Sequence, residues 1–323
     1  YEPFIQFKTE PGIGWPSTGG AGVHEVGFRL IGPAQGPWPP DSNDLVIYVF
    51  GGSTTIGIGV RDSETIPAQL QAMLRTANPD LRIAVYNFGA PGYFSAVERV
   101  YFEKLLVRGI VPDIAIFIDG YNDFHIWRGE PGTTWWVREQ FAKWYRGEAD
   151  YSFSWYMRAA WERLPVLELV ELLRPKQTLD SFGGPSFDGG GPVDYFRDPV
   201  KIRQVIGRYD TNMRLTKAMG DAFGVRTLFV MQPVATYKYD GETPLGPVGG
   251  EGMRSKWGYP AMRDHMTSNP PGPNFLWCAD VQAGITRNLY VDQSIHYNVE
   301  GSGLVARCIA EGLQRRGDVA AKG

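Results

Sequence analysis

Four residues whose types could do chemistry together stand far apart in the chain, each after a short apolar run. Ser53 follows Leu45-Val-Ile-Tyr-Val-Phe50 and two glycines, and Gly92 follows Arg82-Ile-Ala-Val-Tyr-Asn87. Asn122 follows Asp113-Ile-Ala-Ile-Phe-Ile-Asp119, and His296 follows Asn288-Leu-Tyr-Val-Asp292. A serine hydroxyl attacks an acyl carbonyl when a base takes its proton, a third group holds that base, and N–H donors receive the charge forming on the carbonyl oxygen. The Gly-x-Ser-x-Gly elbow of one large hydrolase group is absent, because position 55 is Thr where a glycine is required.

Each apolar run is too short for a free-standing helix and rich in β-branched and aromatic residues, so each reads as a buried strand. After the first, Asp62 stands at a helix N-cap position, Pro67 falls in the early turns, and Ile66, Leu70, Met73 and Leu74 recur at helical spacing. After the second, Ser95 caps a helix with Val97, Val100, Tyr101 and Leu105 on one face, Glu98, Arg99 and Glu103 on another, and Gly109 at its end. A helix from about Asp198 leads to a fourth strand, Thr227–Gln232, and Asn288–Asp292 reads as the fifth. Residues 236–275 read as loop. Asn298 caps a last helix that buries Leu304, Val305, Ile309 and Leu313. Strand, loop and helix in repetition, with the polar motifs on one edge, predict a parallel sheet with right-handed crossovers whose ligands bind at the carboxyl ends of the strands.

The chain has 323 residues, 43% hydrophobic and 21% charged, as in a globular enzyme with ample core. A formal net charge of −3 gives no footprint for nucleic acid. No apolar run approaches the ~18 residues that suggest a membrane span, and no signal peptide is visible; the chain begins at Tyr1, so a leader or anchor could precede it. Residues 1–44, rich in Gly and Pro, read as an irregular arm. Cys278 and Cys308 form no metal-binding spacing; two buried free thiols are the expectation, with a pair in an oxidising compartment as the alternative. Six of the ten tryptophans fall between 124 and 200 (Trp127, Trp135, Trp136, Trp144, Trp155 and Trp161). Trp135 and Trp136 are adjacent and cannot share one helix face. Part of this helical insert is therefore expected to be exposed, as a lid, a sugar-stacking wall or a membrane-surface patch, with Gly-rich residues 183–191 as its hinge.

Phe50-Gly-Gly-Ser53-Thr-Thr, Asn87-Phe-Gly-Ala-Pro-Gly92, Gly120-Tyr-Asn122-Asp123 and Asp292-Gln-Ser-Ile-His296, in that order, resemble the four blocks of the SGNH (GDSL-type) hydrolase superfamily. The usual Gly-Asp-Ser is replaced by Gly-Gly-Ser, and residues 124–200 lie outside the resemblance. It implies a three-layer α/β/α sandwich with a central, mostly parallel five-stranded, flavodoxin-like sheet over residues 45–323, interrupted by the aromatic-rich insert. It also implies Ser53 as nucleophile, His296 as general base, and an oxyanion hole built from the N–H groups of Ser53 and Gly92 and the amide of Asn122. No metal or organic cofactor is required. Gly52, Thr54, His125 and Gln232 are candidate substrate contacts on the active edge, with Trp135 and Trp136 over it.

The family's acid stands three residues before the histidine. Here that position is Gln293, and Asp292, the only carboxylate at hand, lies four residues before. A local bulge absorbs one extra residue, so Asp292 is expected to orient His296, with Gln293 turned away. The implied activity is hydrolysis of a carboxylic O-acyl ester of a carbohydrate or lipid, in a compartment outside the cytoplasm. Acyl transfer to a sugar hydroxyl uses the same acyl-enzyme, and a non-catalytic binding module is the remaining alternative.

Overall fold

The computed structural model describes residues 22–130, 197–244, 253–293 and 295–320, with Ile5, Tyr145 and Gly246. Five strands, β1 (Leu45–Gly51), β2 (Ile83–Asn87), β3 (Ile114–Asp119), β4 (Arg226–Met231) and β5 (Phe275–Trp277), form one parallel sheet in the order β2-β1-β3-β4-β5. Between them run α1 (Ser53–Ile56), α2 (Ile66–Ala77), α3 (Ser95–Val107), α4 (Tyr121–His125), α5 (Pro199–Ala222) and α6 (Met253–Ser268), and α7 (Val299–Arg316) follows β5.

All seven residues of β1 are buried, so the two-residue period of a strand sends its side chains to two covered faces. Leu45, Ile47 and Val49 join an aliphatic layer with Ile66, Leu70 and Leu74 of α2 and Val305, Ile309 and Leu313 of α7. Val46, Tyr48 and Phe50 join an aromatic layer with residues of α3, α5 and α6. In that layer Phe50, Phe117 and Phe229 are register partners across three strands, with ring centroids 4.9 and 5.5 Å apart. The architecture is thus a three-layer α/β/α sandwich around a five-stranded parallel sheet. Its strand order reverses between β1 and β3, and the crevice at their carboxyl ends is where such sheets take ligands.

Residues 22–44 form no helix and no strand beyond isolated bridges, and they pack Phe28 and Trp38 edge-on to Tyr86 of the aromatic layer, at 5.1 and 5.3 Å. The chain divides into two units, 1–131 with 193–323, and 132–192. The elements above belong to the first. The expected lid, its hinge at 183–191, and Trp135 and Trp136 lie outside the described residues. Among the described residues no helix is long and apolar enough to cross a membrane.

Several expectations are corrected. Residues 288–292 are not a strand: Asn288 and Asp292 accept from the backbone N–H groups of Tyr290 and Ile295 (3.0 and 2.9 Å), and such local bonds compete with a sheet ladder. The fifth strand is Phe275–Trp277 instead. The supposed loop 236–275 contains α6, whose Gly258 and Pro260 disguise a buried row of Tyr259, Met262 and Met266. Asp62 is not a cap; Thr65 caps α2, its hydroxyl accepting from Ala68 N at 3.3 Å. Ser95 opens α3 without capping it, and Glu98 is fully buried rather than on a polar face.

Cys278 and Cys308 are disulfide-bonded, not free thiols, with Cα atoms 6.0 Å apart, and tie the end of β5 to α7. Closing a loop of this length, with a sequence separation of 30, stabilises a fold by about 3–4 kcal/mol in the chain-entropy estimate. The double variant Cys278→Ser/Cys308→Ser is therefore expected to lose that much in urea unfolding. Thiol titration of the denatured wild-type chain should find no free thiol.

Candidate active site

The turn that presents Ser53 has no room for side chains before it. At Gly51 (φ +156°) a Cβ would stand 2.0 Å from Thr55 Oγ1, and at Gly52 it would stand 2.4 Å from Asn122 Nδ2. Two glycines are thus required where β1 runs into α1, and Ser53 emerges half-buried at the first position of that helical turn. The neighbouring Thr54 is buried and donates through Oγ1 to Gln232 Oε1 at 2.7 Å, joining the ends of β1 and β4.

Asn122 follows β3 on α4. Its Nδ2 donates to Tyr93 O at 2.6 Å, and the second N–H of the amide remains for another acceptor. Tyr93 follows Gly92, which is exposed at φ +73°. Gly52, Tyr93 and Asn122 therefore meet at the switch point between β1 and β3.

The histidine arrives on a tight turn after β5. His296 Nδ1 is bonded to Asp292 Oδ2, while Asp292 Oδ1 accepts from Ile295 N (2.9 Å) and His296 N (3.2 Å). His296 Nε2 is buried and has no hydrogen-bond partner among the described residues. Gln293 is exposed, and Ser294 lies outside the described residues. Two contacts hold this turn against the rest of the edge. Tyr297 OH donates to Pro233 O, beside Gln232. A Cβ at Gly59, in the loop after α1, would come within 2.6 Å of Val291 Cγ2.

His125, at the end of α4, stacks on Tyr121 with ring centroids 5.6 Å apart, and its carbonyl accepts from the Arg254 guanidinium. Thr54, Gly52 and Gln232 thus join the cluster through direct contacts, and His125 is tied to its own helix and to α6. Among the described residues no group of three or more His, Cys, Asp or Glu is arranged to hold a metal ion.

Residues that the sequence did not single out frame this edge. Arg29 of the arm is 1% exposed and paired with Asp62 at 2.8 Å. It also donates to the carbonyls of Ile56 and Gly57 (2.7 Å each) and Val60 (3.1 Å), which the turn after Ser53 leaves without helical partners. The Arg29 N–H bonds Asn87 O at 2.8 Å, and the Asn87 amide spans Thr55 O (2.8 Å) and Gly89 N (3.0 Å). Behind Asn122 lie three buried carboxyls, Glu98, Asp119 and Asp123. Asp123 accepts from Ser95 Oγ at 2.5 Å, and that hydroxyl accepts from Asn212 Nδ2 at 3.0 Å. Burial first, then the neighbouring Asp119 and Asp123, pushes Glu98 well above the usual carboxylate range; burial, then Asp123, does the same to Asp119. Burial also raises Asp123, against the opposing effects of the Ser95 hydroxyl and Arg208.

No family model and no curated protein matches the chain. Solved structures of low sequence identity resemble it. A protein assigned to the G-D-S-L lipolytic family from Desulfitobacterium hafniense is 10% identical over 84% of this chain and 100% of that one, with a TM-score of 0.42. An acetylxylan esterase from Geobacillus stearothermophilus is 13% identical over 83% of this chain and 93% of that one (TM-score 0.44). An α/β hydrolase from the metagenome of Lake Arreo, Spain, is 14% identical over 87% and 99% (TM-score 0.40).

The Arg29–Asp62 pair makes a measurable claim on stability. Asp62→Ala leaves a buried guanidinium without its counter-charge, a loss of about 3–5 kcal/mol. Chemical unfolding should report it, with the loop of residues 57–62 gaining amide exchange before the sheet does.

Proposed function

We propose that this protein is a serine-dependent hydrolase of carboxylic O-acyl esters. The observation that carries the reading is the His296–Asp292 pair, whose other ring nitrogen is buried and has no partner among the described residues, on the edge where the turn before Ser53 approaches the Asn122 amide. Ser53 Oγ attacks the acyl carbon while His296 Nε2 takes its proton. Asp292 holds the ring by Nδ1 and stabilises the imidazolium that forms. The carbonyl oxygen, now negative, takes the N–H groups of Ser53 and Gly92 and the second N–H of Asn122, donors of about 3 kcal/mol each in the transition state. Collapse breaks the ester bond, and His296 passes its proton to the departing alkoxide. Water, deprotonated by His296, then attacks the acyl-enzyme; its collapse releases the acid and restores Ser53.

The substrate class is an O-acyl ester of a carbohydrate or a lipid. The Cys278–Cys308 disulfide supports an oxidising compartment outside the cytoplasm.

With p-nitrophenyl esters of increasing chain length, Ser53→Ala should abolish turnover while its melting curve stays close to wild type, and a serine-reactive phosphonate should label Ser53 alone. Normal turnover in that variant would refute the assignment of the nucleophile. Asn122→Ala is expected to lower kcat by roughly 10²–10³ with little change in KM, because the donor acts mainly in the transition state.

Exchanging the orienting carboxylate for an amide tests the remaining member. Asp292→Asn should lower kcat by up to ~10⁴ with the fold intact, and Gln293→Ala should have a mild effect. Reversed severities would mean that an amide, not a carboxylate, orients the histidine.

A further inference from the structure

Glu98 Oε1 and Oε2 and Asp119 Oδ1 are buried and receive no hydrogen bond from any N–H or O–H among the described residues. The two side chains lie within bonding reach of one another. Two carboxylates cannot satisfy each other, since both are acceptors; a carboxylic acid and a carboxylate can. Asp123, the third member, receives a hydrogen bond from Ser95 on Oδ1 and feels the charge of Arg208, while its buried Oδ2 also has no partner among the described residues. Two phenols with no partner among the described residues, Tyr209 OH of α5 and Tyr259 OH of α6, are fully buried in the same field. Arg99, the next residue of α3, is turned to Asn212 (3.3 Å) and Glu103 (3.8 Å). This is an unusual concentration of buried polar atoms, and such groups are costly unless a proton or donor joins them.

Its position gives the cluster its meaning. Asp119 ends β3 three residues before Asn122, and Asp123 follows Asn122 on α4. Glu98 lies on α3, which begins two residues after Tyr93, the carbonyl partner of the Asn122 amide. The cluster thus joins the segments whose relative placement sets the Gly52–Asn122–Tyr93 contact. We propose that Glu98, Asp119 and Asp123 are positioning residues for the Asn122 amide, held together by a shared proton, and that ionisation of this cluster sets an alkaline limit on turnover. The inference rests on the esterase reading given above.

The direction with pH follows from burial. The folded protein keeps a proton on Glu98 or Asp119 that an unfolded chain, with ordinary carboxylates, has released. Stability from this source is greatest in acid and falls as pH rises from the ordinary carboxylate range through the raised one. Once both groups are charged they repel across α3 and the end of β3, and the amide loses its place. A histidine base alone gives activity that rises with pH and then levels, so an alkaline fall in kcat is a separate signature.

The test is a kcat, KM and melting-temperature series from acid to alkaline pH for wild type, Glu98→Gln, Asp119→Asn and Glu98→Ala. The expected wild-type result is a fall in kcat at constant KM on the alkaline side, with the melting temperature declining as pH rises. Glu98→Gln, which supplies an N–H and cannot ionise, should retain turnover near neutrality and move the fall upward by about one pH unit or more, and Asp119→Asn should behave alike. Glu98→Ala should lose roughly 10-fold or more in kcat, part of what removing an oxyanion donor costs. Ser53-dependent turnover with the same alkaline profile and the same melting-temperature slope in wild type and Glu98→Gln would overturn the inference alone. Turnover that survives Ser53→Ala would overturn the esterase reading and this inference with it.

Discussion

The backbone at Gly52, the carbonyl of Tyr93 and the side chain of Asn122 share a space in which a single added methyl would collide with the Asn122 amide. That close approach is possible only because β1 and β3 are register partners at Gly51 and Ile118, so that both chains leave the sheet at the same height. A parallel sheet fixes this height by packing: a one-residue slip would exchange the aliphatic and aromatic layers and bury neither properly. The site's geometry is in this sense a consequence of the core.

The ends of the strands leave backbone groups that the sheet cannot satisfy, and the molecule answers with buried polar side chains. Arg29 and Asn87 gather the carbonyls of the turn after Ser53. Thr54 and Tyr297 converge on Gln232 and Pro233 from the serine and histidine sides. The turns of Ser53 and His296 are therefore anchored to the same strand end, although they lie far apart in sequence. The arm before β1 is part of this frame, since it carries Arg29.

How far the sequence could be read depended on whether a residue's role followed from its neighbours along the chain. The first four strands, and the placement of Ser53 and Asn122 just beyond two of them, were legible because apolar runs and glycines announce a strand reaching an edge. α6 was hidden by Gly258 and Pro260, although Tyr259, Met262 and Met266 bury it. β5 was misplaced because three residues of Phe-Leu-Trp carry too little pattern, while Leu289-Tyr-Val offered more and is held by side-chain turns. Arg29, Glu98 and Asp119 were not legible at all. A charged residue in an arm, on a helix or at a strand end reads as solvated unless its partner is known, and those partners, Asp62 for Arg29 and Glu98 and Asp119 for each other, lie 33 and 21 positions away along the chain.

The edge also uses one functional group in two opposite settings. Asp292 is a quarter exposed and its oxygens meet two backbone N–H groups and an imidazole, so a negative charge there is matched by donors. Glu98 and Asp119 are buried, and Glu98 Oε1 and Oε2 and Asp119 Oδ1 meet no donor among the described residues. The difference matters because of what lies in front of them. In the proposed reaction, an oxyanion forming against the Asn122 amide would be opposed by full charges at Glu98 and Asp119, because like charges repel far more strongly in a buried setting than in water. Such repulsion would oppose the stabilisation that the amide provides. In the proposed reaction a retained proton would let a densely polar support adjoin the Asn122 amide without adding negative charge to it, whereas His296, which would become positive as the base, has its carboxylate in the open.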